Sequence, residues 1–420
     1  MPHLNKLRTV RTGGHGGDTA PPSAARLRTA LTAFFALDGF LFAGWVVRIP
    51  AIKHHIGASA SSLGLALLGV SAGAVITMVL TGRLCHRFGS HRVAVGCGIL
   101  LSLSIALPAH AGSALTLGLL LLVFGAAYGG MNVAMNSAAV DLVAAIRRPV
   151  LPSFHAAFSF GGMAGAGIGG VAAGHLSPVA HLTLLAATGL VVTAVAGPVM
   201  LHNTPDTAAT STASPTSYAS TASAAPDSRA GSPRMSPAVR RVVALFGVIA
   251  LCTAYGEGAL AEWSALHLTQ DLHATPGIAA AGYSLFALAM GVGRLTGTAL
   301  LERFGQTRTL VFGGSAAAAG MLLGSLAPTV SLALVGFAVA GLGLANIFPV
   351  AVGRAGALAG PGGVAAASTL GYGGMLMGPP VIGFLADWLS LPMALTTVAL
   401  LAAAAAVLGY VSRTASPNAA

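Results

Sequence analysis

The sequence RFGSHRVAVGCG at residues 87–98 recurs as RFGQTRTLVFGG at residues 303–314. The copies share Arg, Phe, Gly, Arg, Val and Gly at matched positions, each pair 216 residues apart in a chain of 420. A shorter match, GGM at residues 161–163 and 373–375, has a similar offset. Repetition at half the chain length predicts two equivalent structural halves.

The composition around these repeats is that of a membrane protein. Charged residues make up 7% of the chain, hydrophobic residues 55%, and the mean hydropathy is +0.82. A soluble domain carries roughly 25% charged residues, whereas residues 93–140 and 149–205 contain none. An ordinary globular enzyme, a disordered chain and a disulfide scaffold are therefore excluded. The net charge of +11 does not indicate nucleic-acid binding, because the basic residues are sorted by loop.

Apolar runs long enough to cross a bilayer recur twelve times. A helical crossing needs about 20 mostly apolar residues, and the period-two alternation of barrel strands is absent. Helices are expected because they satisfy their own backbone hydrogen bonds in lipid. The predicted crossings are residues 28–52, 59–82, 93–110, 114–139, 151–175, 180–201, 240–268, 276–300, 309–328, 331–353, 363–386 and 391–412.

The basic residues predict the orientation of these crossings. If both termini are cytoplasmic, 19 of the 21 Lys and Arg residues fall on the cytoplasmic side, Arg294 among them. Only Arg48 and Lys53 fall on the outer side. Since loops rich in Lys and Arg stay in the cytoplasm, this asymmetry predicts a multi-pass protein of the cytoplasmic (inner) membrane with both termini inside.

A polar segment divides the crossings six to six. Residues 202–239 are rich in Ser, Thr, Ala and Pro and predict a flexible cytoplasmic linker. The expected organisation is a disordered tail at 1–27, a half at 28–201, this linker, a half at 240–412 and a tail at 413–420. We therefore predict an all-α membrane protein with twelve transmembrane helices in two six-helix pseudo-repeats, the architecture of a rocker-type transporter.

The loop between the second and third crossings carries a family resemblance. Its sequence, GRLCHRFGSHR at residues 82–92, resembles the signature loop of the major facilitator superfamily, usually Gly-x-Leu-Ala-Asp-Arg-x-Gly-Arg-basic. His86 stands where the family normally has Asp, and Glu302 keeps an acid in the second copy. A glycine turn with flanking guanidiniums can pair across the halves and lock a closed state; the alternative is a basic loop that only sets topology. The gating-loop candidates are Gly82, Arg83, Arg87, Gly89, Arg92, Glu302, Arg303, Gly305 and Arg308.

Further segments resemble the fucose-permease-like branch of that superfamily. They are WVVRIPAI at 45–52, SFHAAFS at 153–159, EWS at 262–264, and GYGG at 371–374 with GPP at 378–380. The resemblance implies the major facilitator fold and proton-coupled transport, and the branch includes sugar importers. Those importers have a Glu-x-x-x-Asn motif in the fourth crossing, where this chain has Asn132 and Asn136. Sugar import is therefore weakened as an interpretation.

Acidic residues inside the crossings are the candidates for proton coupling. Asp38 lies about ten residues into the first crossing, near the bilayer centre. An intramembrane carboxylate is costly unless it is protonated, paired or facing water, so it indicates function by default; a structural hydrogen bond is the alternative. Glu257 and Glu262 are the candidates in the seventh crossing. They are five residues apart, so about 140° separates them on an ideal helix, and we expect different faces. Glu262 could also be merely interfacial.

Other polar residues in the crossings are candidates for a substrate cavity or a gate. Asn132 and Asn136 share a helix face and could bind a hydroxylated solute or join helices. His155 could relay protons or anchor its helix at the interface. Arg48 could snorkel or form an outer gate pair with Glu262. The cavity candidates are Asn132, Asn136, His155, Asn346 and Tyr372.

Two apparent motifs fail on context. The GxGxxG pattern at residues 165–170 lies inside an apolar run with no preceding strand, so it does not indicate a dinucleotide site. Two rows spaced by four residues instead predict close helix packing: Gly161, Gly165 and Gly169, and Ala166, Gly170 and Gly174. The histidines and Cys85, Cys97 and Cys252 show no metal-ligand spacing, so neither metal nor cofactor is expected, and the cysteines are expected to be packing residues.

These features predict a monomeric, non-enzymatic secondary transporter that moves a small solute by alternating access, coupled to protons. The alternative is a proton-driven exporter of a drug or secondary metabolite. A membrane-embedded transferase is more remote, because the loops hold almost no acids for a catalytic cluster. The expected partners are a small-molecule substrate, protons and the lipid bilayer, and no nucleic acid. The substrate and the direction of transport do not follow from the sequence.

Overall fold

The computed structural model describes residues 22–146, 150–202 and 236–413, which are almost entirely helical and contain no strand. The first half consists of α1 (Pro22–Val46), α2 (Ile49–His55), α3 (Ala60–Phe88), α4 (Ser90–Ser104), α5 (Ala114–Ile146), α6 (Leu151–Ala173) and α7 (Pro178–His202). The second half consists of α8 (Pro237–Gln270), α9 (Pro276–Leu295), α10 (Gly297–Ser325), α11 (Val330–Leu344), α12 (Ile347–Trp388) and α13 (Leu391–Val411).

Twelve membrane-length segments run through these elements, as predicted. By length and composition, ten helical segments of the described ranges could each cross a membrane. The other two crossings are the parts of α10 and α12 that follow a kink, at Gly305 (φ 75°) and at Ala359 and Gly360. The tenth crossing is interrupted at residues 345–346, between α11 and α12. The described residues thus form the twelve-helix, two-half architecture that the repeat predicts.

The helices next to the predicted N-terminal tail and linker begin earlier than expected. The predicted tail at 1–27 overlaps α1, which already begins at Pro22; the rest of that tail lies outside the described residues. Most of the predicted linker at 202–239 also lies outside the described residues, and the flanking helices overlap its ends, since α7 ends at His202 and α8 begins at Pro237. In both cases a proline at the first helical position, where its missing N–H costs nothing, allows the helix to begin earlier than the apolar run.

The first and fifth crossings of each half pack in equivalent ways. In the first half α1 contacts α6, and in the second half α8 contacts α12. The repeated glycines lie at these contacts. A Cβ atom at Gly161 would lie 2.0 Å from the carbonyl oxygen of Ala36, and one at Gly374 would lie 2.2 Å from that of Leu251. The predicted glycine packing is therefore confirmed, because backbone meets backbone where no side chain fits.

Gly161→Ala is expected to lower the melting temperature of the purified protein. The added methyl group must push α1 away from α6, and such overpacking costs about 1–3 kcal/mol. The matched control is Gly167→Ala on the same helix, since a Cβ atom there would meet nothing within 4 Å. Thermal unfolding in detergent should show a loss for Gly161→Ala and none for Gly167→Ala. Equal melting temperatures would contradict the packing argument.

The two halves meet most closely at one end of the bundle. We call this end, which holds Lys53, Ala60 and Asp387, the Lys53 face; the opposite end, with Arg87, Arg92, Arg303, Arg308 and Arg413, is the arginine-rich face. At the Lys53 face α3 contacts α12, whereas α6 contacts α9 over much of its length, from Gly170 beside Gly277 to Ser159 beside Gly291.

Glycines permit this approach. A Cβ atom at Gly64 would lie 2.6 Å from the carbonyl oxygen of Pro379, and one at Gly383 would lie 2.5 Å from that of Ala60. The carboxylate of Asp387 at the end of α12 accepts hydrogen bonds from the backbone N–H groups of Ala60 (3.0 Å) and Ser61 (2.8 Å), which begin α3. The second half thereby caps a helix of the first half.

Candidate functional site

A cavity of about 290 Å³ lies between the two halves. Its walls come from α1, α3, α5 and α6 of the first half and from α8, α9 and α12 of the second. A cavity between two repeats is where transporters of this architecture hold their cargo. Its polar and aromatic lining residues are Phe42, Ser71, Tyr128, Asn132, Phe158, Glu257, Glu262, Arg294, Phe348 and Tyr372. Asn132, Glu257, Glu262 and Tyr372 were predicted from the sequence, and the structure brings them together.

An ion pair contributes the strongest charges of the cavity wall. The Arg294 Nη2 atom at the end of α9 lies 3.2 Å from Oε2 and 3.3 Å from Oε1 of Glu257 on α8. The side chains of Arg294 and Glu257 are 38% and 26% exposed, so both remain accessible from the cavity. The sequence placed Arg294 among the cytoplasmic-side basic residues. Its long side chain instead turns inward to meet a carboxylate.

Two further acids are buried without a hydrogen-bonding partner among the described residues. Asp38 on α1 is 0% exposed, and neither of its carboxylate oxygens has a partner. Glu262 on α8 is 6% exposed, and its Oε2 atom has none. Glu257 and Glu262 both line the cavity, although they are expected on different faces of α8. A cavity several helices wide spans more than one row of side chains on α8.

Aromatic rings line the cavity in the neighbourhood of Asp38. Phe42 follows Asp38 by one helical turn, and its ring stacks on Tyr128 with centroids 5.1 Å apart. Tyr128 lies within electrostatic reach of Asp38, and both rings line the cavity. Phe124 extends this stack behind Tyr128, at 6.3 Å. Asp38 is therefore buried near the aromatic wall of the cavity and is not one of its lining residues.

Three predicted cavity residues lie elsewhere. Asn136 donates to the backbone oxygen (2.8 Å) and to Oδ1 (3.2 Å) of Asn132, so it orients the lining amide from behind. His155 packs edge-on against Phe35, with ring centroids 5.6 Å apart. Asn346, at the break between α11 and α12, donates to the backbone oxygen of Gly293 (2.8 Å). Asn136 and Asn346 are thus hydrogen-bonded locally and His155 packs against an aromatic ring, and none of the three lines the cavity.

Arg48 does not pair with Glu262 in this structure. The Nε atom of Arg48 donates to Nδ1 of His181 on α7 at 2.8 Å, and the arginine is 2% exposed. Both of these residues belong to the first half. The proposed outer gate pair is therefore wrong for this conformation: a neutral imidazole within the same half accepts from the guanidinium instead.

The two repeated loops form the glycine turns that the repeat predicts. Gly89 (φ 86°) and Gly305 (φ 75°) both have left-handed backbone, which glycine adopts without steric cost. The guanidinium of Arg87 lies over the Phe88 ring at 5.3 Å, and that of Arg303 lies over Phe304 at 5.6 Å.

Pairing across the halves through these loops is not seen in the described part of the chain. There, the loop arginines and Glu302 form no ion pair. The first loop is held within its own half, because Ser90 Oγ donates to Asp141 Oδ2 of α5 at 2.7 Å. Sequence reasoning missed Asp141, since no spacing rule joins residues this far apart. The expected lock between halves therefore stays a prediction for another conformation.

Twelve crossings in two equivalent halves around a shared cavity define a membrane transporter of the two-repeat type. The sequence matches the family model of the Major Facilitator Superfamily over residues 29–263 and 246–420. The chain belongs to this superfamily.

Curated relatives over nearly the full length are transporters or membrane proteins by name. The uncharacterized transporter y4wD of Sinorhizobium fredii is 34% identical over 91% of this chain and 97% of its own. The membrane protein MosC of Rhizobium meliloti is 30% identical over 94% of this chain and 92% of its own.

Solved structures share the fold. The nucleoside transporter NupG superposes with a TM-score of 0.71 at 14% identity, covering 94% of this chain and 100% of its own. A bacterial homologue of the human lysosomal transporter Spinster superposes with a TM-score of 0.72 at 14% identity, covering 95% and 100%. The chain is thus a multi-pass transporter of the major facilitator type with a small-molecule substrate.

Proposed function

We propose that this transporter moves a small polar solute across the cytoplasmic membrane by alternating access, coupled to protons. One observation carries the proposal: a single cavity is built from both halves and holds an ion pair, Glu257–Arg294, with two unpaired buried acids in or near its wall. Rocking of the halves around a fixed central site would expose this cavity to each side in turn.

The contacts at the Lys53 face support one state of such a cycle, the state in which the cavity is closed at that end. The close backbone contacts of Gly64 and Gly383 and the cap from Asp387 join the halves at that end. Opening there requires these contacts to separate as a unit, which is the behaviour of a rigid-body switch. We take the arginine-rich face as cytoplasmic, because Lys and Arg accumulate in cytoplasmic loops. If a reporter fused after residue 420 were located outside the cell, this orientation would be overturned.

Proton coupling is supported by the surroundings of Asp38. An ionised carboxylate buried without a donor or a counter-ion is costly, so this conformation favours the protonated acid. A carboxylate that loads a proton from one side and releases it to the other would tie solute movement to the proton gradient. Glu257 is less suited to this role, because its charge is already balanced by Arg294.

The cavity supports a small solute with both polar groups and a flat apolar face. Its volume, about 290 Å³, is at the lower end of the range of small-molecule pockets. Asn132, Tyr372 and the ion pair offer hydrogen bonds, and Phe42, Phe158 and Phe348 offer apolar surface. The large aromatic share of the wall also favours the second candidate function, export of a drug or secondary metabolite.

A transport assay distinguishes these candidates. Purified protein is screened by thermal shift against sugars, nucleosides and lipophilic drugs, because a bound ligand raises apparent stability with its excess over Kd. The solutes that stabilise the protein are then tested for counterflow in proteoliposomes. Counterflow of a polar solute that accelerates under an imposed pH gradient supports the proposal; counterflow without any response to the gradient contradicts proton coupling.

Asp387→Asn is expected to open the Lys53 face more often. The asparagine loses the charge that strengthens two hydrogen bonds to the start of α3. Hydrogen bonds to charged groups contribute about 1.5 kcal/mol or more, which corresponds to roughly a tenfold change in population. The measurement is the labelling rate of Ser71→Cys in the cavity, in a variant without Cys85, Cys97 and Cys252, by an impermeant maleimide outside intact cells.

The matched control for this prediction is Asp271→Asn. Asp271 is also an acid of the Lys53 face, but its partner, His267, belongs to the same half (2.9 Å). Its loss should therefore leave the labelling of Ser71→Cys unchanged. If Asp387→Asn labels no faster than Asp271→Asn, the cap does not hold the halves together.

A further inference from the structure

A second cleft lies at the arginine-rich face, away from the central cavity. It has a volume of about 510 Å³ and lies between the start of the helical segment after Gly305 and the last turn of α13. The two helices are in close contact next to the cleft, since a Cβ atom at Gly409 would lie 2.8 Å from Cβ of Leu310. We call it the Arg308 cleft, after the arginine in its lining. The transport cycle proposed above assigns no ligand to this cleft, although Gly305 and Arg308 are also gating-loop candidates.

The Arg308 cleft carries positive charge that is not balanced by acids. Arg308 and Arg413 both line it, and no lining residue is acidic. Arg308 is exposed and forms no ion pair among the described residues. Arg413 lies over the Tyr410 ring at 3.7 Å and donates to the tyrosine hydroxyl, which fixes its guanidinium at the rim. Two guanidiniums with free donors fit a phosphate group, which they can bind in a bidentate manner.

The apolar part of the same cleft indicates that its occupant is a lipid. Phe304 and Phe312 line it, their side chains are 39% and 61% exposed, and their rings pack edge-on with centroids 6.4 Å apart. A soluble anion would leave these rings uncovered. A phospholipid would cover them with its acyl chains while its headgroup contacts the arginines. Tyr410 in the same lining fits this arrangement, because tyrosines are enriched at the membrane–water interface, where the headgroups lie.

We propose that the Arg308 cleft binds the phosphate headgroup of an anionic phospholipid, in the leaflet that contacts the arginine-rich face. The lipid phosphate lies between Arg308 and Arg413, and an acyl chain follows Phe304 and Phe312 along α10. The proposal rests on cavity shape, charge and exposure, and it holds whatever the transported solute is.

Lipid titration of the purified full-length chain in neutral detergent tests the proposal. Phosphatidylglycerol and phosphatidylcholine are added separately, and bound lipid is counted by native mass spectrometry. We expect tighter binding of phosphatidylglycerol by the parent, and about fivefold weaker binding for Arg308→Gln, because one arginine contributes about 1 kcal/mol to attraction for an anionic lipid. The control, Arg241→Gln, removes an exposed arginine outside the cleft and should bind as the parent does. Melting temperatures in phosphatidylcholine verify that each variant is folded.

Three results would overturn the proposal. The first is equal affinity of the parent for the two lipids, as would follow if residues 414–420 of the chain filled the cleft. The second is equal weakening by Arg308→Gln and Arg241→Gln, which would show unspecific charge attraction. The third is complete displacement of phosphatidylglycerol by an equal concentration of glycerol phosphate, which would make the ligand a soluble phosphate.

Discussion

Asp38→Asn is expected to abolish solute accumulation driven by a pH gradient while leaving exchange at equilibrium intact. The carboxyl group of Asp38 is fully buried with no partner among the described residues. The transporter can therefore change conformation with Asp38 protonated, whereas doing so with an ionised Asp38 costs a few kcal/mol. Asparagine keeps the shape but cannot release a proton. Exchange needs no net proton release and should continue.

The expected size of this effect follows from the gradient. One pH unit is worth about 1.4 kcal/mol, which supports roughly tenfold accumulation if one proton moves with each solute. In proteoliposomes with such a gradient, the accumulation ratio should fall from about ten for the parent to about one for Asp38→Asn.

Glu262→Gln and Glu257→Gln are the controls for Asp38→Asn, because each removes an acid that lines the cavity. Since Glu257→Gln is also expected to weaken solute binding, all variants are compared at solute concentrations that give equal rates of equilibrium exchange. If one of them loses gradient-driven accumulation while Asp38→Asn keeps it, the coupling site lies in the second half. If all three variants accumulate solute as the parent does, no carboxylate here couples to protons, and the protein is a facilitator or uses another ion.

Removing either member of the Glu257–Arg294 pair is expected to weaken solute binding at least tenfold. The two side chains face the cavity, and a hydrogen bond to a charged group contributes about 1.5–3 kcal/mol. Glu257→Gln also leaves Arg294 unpaired, so we expect a lower melting temperature as well. Binding is measured by thermal shift or calorimetry with the solute identified in the screen.

The double variant Glu257→Gln/Arg294→Gln separates binding from structure. It has no unpaired charge, so its melting temperature should return towards that of the parent. If the pair contacts the solute, binding stays weak in the double variant. Recovery of both stability and binding would show that the pair only holds α8 against α9 and that the solute contacts other residues.

The fold could be predicted because its determinants are local or repeated. Apolar runs of membrane length predict helices, because the backbone must form its own hydrogen bonds in lipid. The RFG repeat predicts two halves. The four-residue glycine spacing that includes Gly161 predicts close helix packing, and the structure identifies α1 as the partner helix. The burial of Asp38 follows from its position in the middle of a crossing.

The cavity could be predicted only in part, because its chemistry depends on contacts between distant residues. Counting arginines assigns Arg294 to a side of the membrane but not to the carboxylate that its side chain reaches. The Arg48–His181 contact joins residues 133 apart in sequence, and no spacing rule predicts it. Tyr128 and Phe42 look like core aromatics in the sequence. They line a cavity only because the two halves pack around it.

The glycine contacts at the Lys53 face bear on the activation enthalpy of transport. Where α3 meets α12, backbone lies against backbone, so the helices can separate without many side chains changing rotamer. The enthalpic barrier to opening would then come mainly from polar contacts, among which the Asp387 cap joins the halves directly. Turnover should accordingly have a shallow temperature dependence in the parent. It should become steeper when a bulky residue replaces Gly64 or Gly383, because interlocked side chains must then disengage in every cycle.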